Sequence, residues 1–211
     1  MHIIGIAGPS GAGKSYIAQS LLDADICTTT AIISLDHYYH DQSHLTPSER
    51  AALNFDHPCA VDHHYLIAQL TQLHQGQAIQ RPCYDFATHS RRRESVPVFP
   101  VDLLILEGLF ALYWPALRQL LTLSIFIEAP DTLCYHRRMT RDMQERGRSS
   151  ASVKAQYTTT VQPMAMRYIM PTREYAAIVL SGDAPIASSI TRIRMLLDAQ
   201  LPTRSSEGLE R

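Results

Sequence analysis

Gly8-Pro9-Ser10-Gly11-Ala12-Gly13-Lys14-Ser15, near the amino terminus, has glycines at positions 8 and 13, separated by four residues and followed by Lys and Ser. Loops of this pattern bind phosphates, because their backbone N–H groups and the positive end of the following helix surround the anion. The apolar run from Ile3 to Ala7 precedes the motif, and residues 16–22 follow it with apolar side chains at helical spacing. The motif therefore lies between a strand and a helix, which favours a nucleotide site over a glycine-rich turn without a ligand.

The residue types in this loop predict their roles. We expect the backbone N–H groups of residues 11–15 to hold the phosphates, because Pro9 has no N–H to contribute. Lys14 would reach the terminal phosphates, and the Ser15 hydroxyl would ligate Mg²⁺. The predicted nucleotide-binding residues are Gly8, Gly11, Ala12, Gly13, Lys14 and Ser15.

The composition excludes several classes of protein. A chain of 211 residues with a formal net charge of -1 is long enough for one domain, and it has no excess of basic residues typical of nucleic-acid binding. Its four cysteines are scattered without the paired spacing of zinc or redox motifs, which favours free thiols in a reducing compartment. We find no apolar stretch of membrane-spanning length and no signal peptide. A soluble, cytoplasmic protein is therefore expected.

Five nearly continuous apolar runs alternate with segments of helical periodicity. Such runs are typical of parallel strands that are buried on both faces. The alternation predicts an α/β fold with a five-stranded parallel sheet flanked by helices and joined by right-handed crossovers. Together with the phosphate loop after the first strand, it predicts a fold of the P-loop NTPase type. The predicted strands are 3–7, 31–35, 101–106, 123–127 and 176–180, and the predicted helices are 15–23, 61–74, 110–121, 131–145, 151–168 and 186–199.

One segment interrupts this alternation. Residues 77–100 contain short β-like runs divided by Pro82, Pro97 and Pro100, which predicts an antiparallel β-hairpin inserted before the next main strand. We expect residues 1–201 to form a single P-loop domain, and the polar residues 202–211 to be a disordered tail.

Two carboxylates follow predicted strands at the sheet edge where ligands of such folds bind. Asp36 comes directly after the second predicted strand, beside Tyr38 and Tyr39, and is a candidate general base. Glu107 ends the run Val101–Leu106 and is a candidate for holding Mg²⁺ through water. The structural alternatives are a turn or helix-capping Asp and a solvent-exposed strand end.

A cluster of five arginines lies within twelve residues: Arg137, Arg138, Arg141, Arg146 and Arg148. Part of the cluster fits surface ion pairing along a helix, since Asp142 and Arg146 are four residues apart. Five arginines exceed what such pairing needs. Residues 137–150 are therefore predicted to form a mobile lid that brings guanidinium groups onto a transferring phosphoryl group and excludes water.

Longer motifs in this order and spacing resemble the uridine kinases (uridine-cytidine kinases) of the phosphoribulokinase and uridine kinase family of P-loop kinases. The resemblance covers about residues 3–180. It is most specific in Asp36–Leu45, Asn54–Pro58, Tyr84–Arg91, Leu106–Gly108 and Arg137–Arg148.

This resemblance implies a pyrimidine ribonucleoside kinase that uses ATP or GTP, with Mg²⁺, to phosphorylate the 5′-hydroxyl of uridine and cytidine in pyrimidine salvage. Asp36 matches the general base, and Ser15 and Glu107 match the metal site. Lys14 and the lid residues Arg141, Arg146 and Arg148 are the other predicted catalytic residues. Relatives are commonly homotetramers, and no nucleic-acid or membrane partner is expected.

The resemblance also implies how the nucleoside is held. Asp56, Arg138 and Gln156 match positions that bind the ribose 2′- and 3′-hydroxyls. The pyrimidine pocket is matched by Tyr39, Tyr84, Phe86 and His89. Because a neutral imidazole changes tautomer, His89 suits either the carbonyl of uracil or the amino group of cytosine.

Two residues and one loop depart from the family pattern. Cys134 stands where the family commonly has Arg, and Ala177 stands where Asp usually occurs. The loop Ser181–Pro185 lacks the Arg-, Gly- and Asn-containing sequence that is typical near the nucleotide base. The altered sequence of this loop leaves the preferred donor open.

Other functions remain as alternatives. A phosphoribulokinase-like or pantothenate kinase-like enzyme would have the same phosphate loop but no need for the aromatic residues around His89. A regulatory GTPase needs an Asn-Lys-x-Asp motif, which is absent because Asn54 is the only asparagine and precedes Phe55. An inactive nucleoside sensor would be expected to lose Lys14, Asp36 or the lid arginines, which are all present.

Overall fold

A parallel sheet and an antiparallel hairpin contain the strands of residues 1–200, which the computed structural model describes except for the side chain of Ala51. The strands are β1 (His2–Ala7), β2 (Thr30–Ser34), β3 (Ile79–Asp85), β4 (Ser90–Val98), β5 (Leu103–Glu107), β6 (Leu123–Glu128) and β7 (Ile178–Ser181). The parallel sheet has the order β2-β5-β1-β6-β7, and β3 pairs with β4 in the hairpin. The prediction of a five-stranded parallel sheet is confirmed.

Helices connect these strands. They are α1 (Lys14–Asp23), α2 (Pro47–Ala51), α3 (His63–His74), α4 (Pro115–Arg118), α5 (Asp131–Arg146), α6 (Ser150–Gln156), α7 (Gln162–Met164) and α8 (Ile186–Gln200). Asp62 caps α3 by accepting a hydrogen bond from the Tyr65 N–H. No helix within residues 1–200 is long and apolar enough to cross a bilayer.

Two hydrophobic clusters cover the two faces of the sheet. Ile3 and Leu104 lie in one cluster with residues of α3, whereas Ile4 and Ile105 lie in the other with residues of α1 and α8. Successive residues of a strand point to opposite faces, so a strand buried on both faces needs apolar residues throughout. This requirement explains the continuous apolar runs of the sequence.

Two predicted helices differ from the structure. Of the helix predicted at 110–121, only α4 forms, because the buried side chains of Phe110 and Leu112 fill a turn that packs on the core. The helix predicted at 151–168 is interrupted by two wide π-helical segments, Tyr157–Val161 and Ala165–Ile169. Pro163 lies between them and lacks the N–H that a regular helix requires.

The carboxyl ends of three strands meet at one edge of the sheet. Glu107 at the end of β5 is in register with Ile6 of β1 on one side and Ser34 of β2 on the other. The loop after β1, the turn after β2 and the last residue of β5 therefore face the same space.

The hairpin is joined to this framework by polar contacts. The Gln69 side chain of α3 donates to the Gln80 carbonyl of β3 over 2.8 Å, and it accepts from the Tyr38 hydroxyl over 2.7 Å. The predicted division into a domain at 1–201, an insertion at 77–100 and a lid at 137–150 stays a prediction. Residues 201–211, which include the predicted tail, lie outside the described residues.

Candidate active site

A cleft of about 750 Å³ opens where the strands β1, β2 and β5 end, and nearly all of the predicted site residues line it. These are Gly11, Gly13, Lys14, Ser15, Asp36, Tyr39, Asp56, Tyr84, Phe86, His89, Glu107, Arg138, Arg141, Arg146, Arg148 and Gln156. Gly8 and Ala12 of the predicted set do not line the cleft, because Ala12 is fully buried and Gly8 lies against the backbone of Ile127.

The phosphate loop keeps its shape through close backbone packing. Gly8 and Gly11 have φ angles of 145° and 83°, which side-chain-bearing residues rarely adopt. A Cβ at Gly8 would overlap the Ile127 carbonyl, and a Cβ at Gly11 would overlap the Cys134 carbonyl of α5. The loop is therefore held between β6 and α5.

Lys14 is buried at the start of α1 and lies over the loop. Its Nζ donates to the Pro9 carbonyl over 2.9 Å. Burial lowers the pKa of Lys14, while the Glu107 and Asp36 carboxylates oppose that change. An anion placed beside this ammonium would relieve the cost of burying its charge.

Oxygen donors suited to a divalent cation meet beside Lys14. The Ser15 hydroxyl donates to Glu107 Oε2 over 3.2 Å, and Glu107 is 7% exposed. Burial and the nearby Asp36 raise the pKa of Glu107, so a bound cation would favour its charged form. Within residues 1–200 no group of three or more His, Cys, Asp or Glu residues could hold a metal alone. The set fits Mg²⁺, which takes few protein ligands and completes its shell with phosphate oxygens and water.

Asp36 lies in the turn Leu35–Tyr38 immediately after β2. The Tyr39 hydroxyl donates to Asp36 Oδ1 at 3.4 Å. Burial, Asp36 and Asp56 raise the pKa of Tyr39 well above its usual value, so this phenol stays protonated and serves as a donor. The carboxylate therefore faces the cleft with one neutral partner and is open to a second proton donor.

Aromatic rings form one wall of the cleft opposite the phosphate loop. Tyr39 and Tyr84 meet edge to face with centroids 5.3 Å apart, and Phe86 meets Tyr84 at 5.4 Å. Phe55 stacks on His89 at 4.8 Å with an interplanar angle of 14°. Such a wall suits a flat, partly apolar ring.

Two polar groups in this wall, the Tyr84 hydroxyl and the His89 imidazole, can form hydrogen bonds with the polar edge of a bound ring. The Tyr84 hydroxyl is buried without a hydrogen-bond partner among the described residues. Burial lowers the pKa of His89, and Arg146 and Arg148 lower it further. The imidazole is therefore neutral at pH 7 and has one donor and one acceptor nitrogen.

A buried polar set lies next to the wall. Asp56 Oδ1 is 3.6 Å from Arg138 Nη1, and both side chains are 7% exposed. The Arg138 guanidinium donates to Gln156 Oε1 over 3.1 Å. Burial raises the pKa of Asp56, against the opposing effect of Arg138. Carboxylate and amide oxygens in a desolvated place are suited to hydroxyl donors that can satisfy them.

The ion pair between Asp142 and Arg146 that their spacing suggests is present, but its carboxylate is buried rather than on the exposed surface of the helix. Arg141, Arg146 and Arg148 all lie within ion-pair distance of Asp142, whose side chain is fully buried. Arg146 also lies over the Phe86 ring, with its guanidinium carbon 5.3 Å from the centroid. The arginines therefore face inwards, between the phosphate loop and the aromatic wall.

Arg91 of β4 attaches the hairpin to the turn that carries Asp36. Its guanidinium donates to the Tyr39 carbonyl over 2.7 Å and to the Tyr38 carbonyl over 3.1 Å. It also pairs with Asp62, the cap of α3, at 3.2 Å. The Arg91 side chain thus joins the hairpin, the turn that carries Asp36 and α3 to one another.

Sequence and structure comparisons agree with this architecture. Residues 3–183 match the Phosphoribulokinase / Uridine kinase family. The chain belongs to this family. The uridine kinase of Shewanella frigidimarina is 42% identical over 200 residues, which cover 92% of this chain and 94% of that protein. The uridine kinase of Shewanella sp. strain ANA-3 is 44% identical over 203 residues, covering 92% and 96%.

Solved structures of proteins with other names share the fold. A putative fructose transport system kinase from Silicibacter sp. TM1040 has a TM-score of 0.65 at 21% identity, covering 83% of this chain and 85% of that one. Phosphoribulokinase from Rhodobacter spheroides has a TM-score of 0.62 at 15% identity, covering 88% and 73%. At such identities these likenesses concern the fold alone.

Of the positions that depart from the family pattern, Cys134 and the loop at 181–185 lie beside the phosphate loop, whereas Ala177 precedes β7 and donates its N–H to the Ser124 carbonyl of β6 over 2.9 Å. Cys134 is buried in α5, with its carbonyl against Gly11. The loop after β7 is packed on the phosphate loop, since a Cβ at Gly182 would overlap the Ala12 carbonyl. Arg137 joins the two by donating to the Gly182 carbonyl over 3.0 Å. A second cavity of about 290 Å³ lies here, and its lining includes Tyr16, Arg137 and residues 181–184.

Sequence reasoning missed two residues that line the cleft and two that support it from outside. Ser10 accepts from Arg138 over 3.0 Å, and Phe55 stacks on His89. Asp142 and Arg91 hold other site residues in place. Phe55 and Arg91 belong to the motifs that carry the family resemblance. These motifs indicate that the two positions matter, but they do not show which residues Phe55 and Arg91 contact.

Proposed function

We infer that this protein is a pyrimidine ribonucleoside kinase, which transfers the γ-phosphate of a nucleoside triphosphate to the 5′-hydroxyl of uridine. The observation that carries this inference is a single cleft with a phosphate loop on one side and, on the other, an aromatic wall beside a buried polar set. Phosphoribulokinase-like and pantothenate kinase-like enzymes have acceptors without a pyrimidine ring. The aromatic wall therefore favours a nucleoside over those acceptors.

In the proposed reaction Asp36 accepts the proton of the 5′-hydroxyl. The hydroxyl oxygen forms a bond to the γ-phosphorus while the bond from the γ-phosphorus to the bridging oxygen breaks, and the nucleoside diphosphate leaves. Lys14 and the lid arginines stabilise negative charge on the transferring group. Ser15 and Glu107 would hold Mg²⁺, which would supply positive charge to offset that of the phosphates.

The buried set of Asp56, Arg138 and Gln156 is proposed to bind the ribose. Both hydroxyls of a ribose would donate to the Asp56 carboxylate, because Gln156 Oε1 already accepts from Arg138 and Arg148. A deoxyribose offers this buried carboxylate one donor fewer, and sites of this kind reject such analogues strongly. This arrangement supports a kinase for ribonucleosides.

Tyr39, Tyr84, Phe86 and His89 are proposed to bind the pyrimidine. A neutral His89 presents a donor nitrogen to the uracil carbonyl, or an acceptor nitrogen to the cytosine amino group, by exchanging tautomers. We therefore propose both uridine and cytidine as substrates.

The pH dependence of cytidine binding tests the role of His89. Because its pKa is lowered from the ordinary value of 6.5, the imidazole is still neutral at pH 6.5 and becomes charged only at lower pH. An imidazolium has no acceptor nitrogen for the cytosine amino group, so the KM for cytidine should be flat from pH 8 to about 6.5 and rise at lower pH, whereas the uracil carbonyl keeps its donor and the KM for uridine should not show this rise. Steady-state kinetics of wild type and His89→Gln measure this. The variant should lack the rise, whereas an identical rise in both would assign it to another group.

Substitution of Arg91 tests whether the hairpin is positioned as described. Arg91→Gln removes the charge-assisted bonds to the carbonyls of residues 38 and 39, so we expect the KM for uridine to rise about tenfold with little change in kcat. Arg93→Gln, at an exposed position of the same strand, is the matched control. Equal KM values in the two variants would show that the hairpin docks without this contact.

The donor base is proposed to occupy the cavity beside Arg137 and the loop at 181–184, next to the phosphate loop. ATP and GTP are both candidates. By resemblance to the family we also propose a cytoplasmic homotetramer, which light scattering of the purified protein would test.

A coupled assay for nucleoside diphosphate release tests the proposed function. It compares uridine, cytidine, deoxyuridine, adenosine and pantothenate, each with ATP or GTP and Mg²⁺. We expect release with uridine and cytidine and little with the other three acceptors. Release with pantothenate but not uridine would overturn the proposal, and a difference between the two donors would identify the preferred one.

A further inference from the structure

Asp142, whose side chain is fully buried in α5, is surrounded by four guanidinium groups. Its Oδ1 is 2.9 Å from Arg141 Nη2 and 3.6 Å from Arg146 Nη1. Its Oδ2 is 3.5 Å from both Arg138 Nε and Arg148 Nη1. Within residues 1–200, Asp142 is the only carboxylate that pairs with Arg141, Arg146 and Arg148. Its position therefore determines where the three predicted catalytic arginines stand.

The backbone of Asp142 also shapes the end of the lid helix. Gly147 has a φ of 62°, and its N–H donates to the Asp142 carbonyl. The Arg148 N–H donates to the same carbonyl over 3.1 Å. The chain thus reverses at the end of α5 and brings the Arg148 side chain back onto the carboxylate.

This arrangement leaves positive charge unbalanced beside the phosphate loop. One carboxylate faces four guanidinium groups, and Asp56 adds a second carboxylate at Arg138 alone. Burial and the neighbouring Arg141 lower the pKa of Arg146, against the effect of Asp142. The arginines also line the cleft, so a polyphosphate there would meet groups that are incompletely neutralised.

We propose that Asp142 is a positioning residue that gathers the lid arginines beside the cleft and shares them with the polyphosphate of the donor when the donor binds. The identity of the donor rests on the proposed function. The Asp142 charge has two opposite consequences. It holds the guanidinium groups where the transferring phosphoryl group needs them, which raises turnover, but it repels and competes with the anion, which weakens binding.

Asp142→Asn separates these two effects, because the amide has the shape of the carboxylate without its charge. Calorimetric titration with inorganic tripolyphosphate, without any nucleoside, should show binding about tenfold tighter than in wild type. Turnover of uridine with ATP should fall about 100-fold, because the guanidinium groups lose the carboxylate that orients them. A residue that only supports the fold would weaken both properties when replaced.

Two further variants complete the test. Asp198→Asn removes an exposed carboxylate of α8 that forms no ion pair within the described residues, and it should leave both properties unchanged. Asp142→Glu keeps the charge but displaces it by one methylene, so tripolyphosphate affinity should stay near wild type while kcat falls about tenfold. If Asp142→Asn does not fold, as judged by circular dichroism, Asp142→Glu decides, and an unchanged kcat in it overturns the proposal.

The two readouts distinguish this proposal from the proposed function. If the wild type does not phosphorylate uridine, the proposed function fails. The role of Asp142 is then tested only by comparing the tripolyphosphate affinity of Asp142→Asn with that of the wild type. Tighter binding by Asp142→Asn supports the proposal. Weaker or equal binding overturns it, as does an unchanged kcat in an active enzyme.

Discussion

Asp36→Asn is expected to lower kcat for uridine phosphorylation about 1,000-fold, with little change in the KM for uridine. The amide keeps the shape of the side chain and can still accept a hydrogen bond from the Tyr39 hydroxyl, which lies 3.4 Å from Asp36 Oδ1. It cannot accept the proton of the attacking 5′-hydroxyl, and losses of this size are typical when a general base is removed. Steady-state kinetics with saturating ATP or GTP measure both constants.

Asp41→Asn is the matched control for this variant. Asp41 is exposed in the same connection, five residues later, and its carboxylate accepts from the N–H and hydroxyl of Ser43. We expect this variant to turn over uridine as the wild type does. Near wild-type turnover in Asp36→Asn would instead assign proton transfer to another group or to solvent.

Asp56→Asn should lower kcat/KM for uridine about 100-fold, mainly through KM, and should affect deoxyuridine much less. The carboxylate is buried 3.6 Å from Arg138, so its hydrogen bonds to ribose hydroxyls would form in a desolvated place where they contribute most. Replacement by an amide exchanges an acceptor for a donor and removes the charge. The ratio of kcat/KM between uridine and deoxyuridine should therefore narrow.

The comparison of the two nucleosides provides the internal control. A loss of folding or of the phosphate loop would reduce activity on both substrates equally. Unchanged discrimination between them would place the ribose contact away from Asp56. Because Arg138 also lies 3.5 Å from Asp142, it keeps one carboxylate partner in the variant, which limits the loss of stability.

Much of the fold could be predicted from the sequence, because its signals are local. The phosphate loop is defined by glycines and a lysine within eight residues, and the parallel strands are visible as continuous apolar runs. Asp36 and Glu107 could be selected because a carboxylate directly after a strand of such a sheet lies at the ligand edge. Their roles, like those of the other site residues, stay predictions until the variants are measured.

The errors in the fold prediction also have local causes. Phe110 and Leu112 lie in a buried turn, which requires apolar side chains. Their spacing is also compatible with a helix, although no helix forms at these residues. Similarly, helical spacing over 151–168 does not reveal the wide turns around Pro163. The spacing of apolar residues indicates which side chains are buried. It does not by itself show whether the backbone there is an α-helix, a π-helical segment or a turn.

The sequence by itself determined the fold class, the nucleotide loop, the family and the positions of the candidate carboxylates. Only the tertiary structure decided how the charges pair: Asp142 lies beneath four arginines, and Arg91 fixes the hairpin to residues 38 and 39. A motif is defined by the residue types and their spacing along the chain, and both can be read directly from the sequence. The partner of a buried charge depends on which segments meet after folding, and contacts such as that from Arg91 to Tyr39 join residues 52 positions apart.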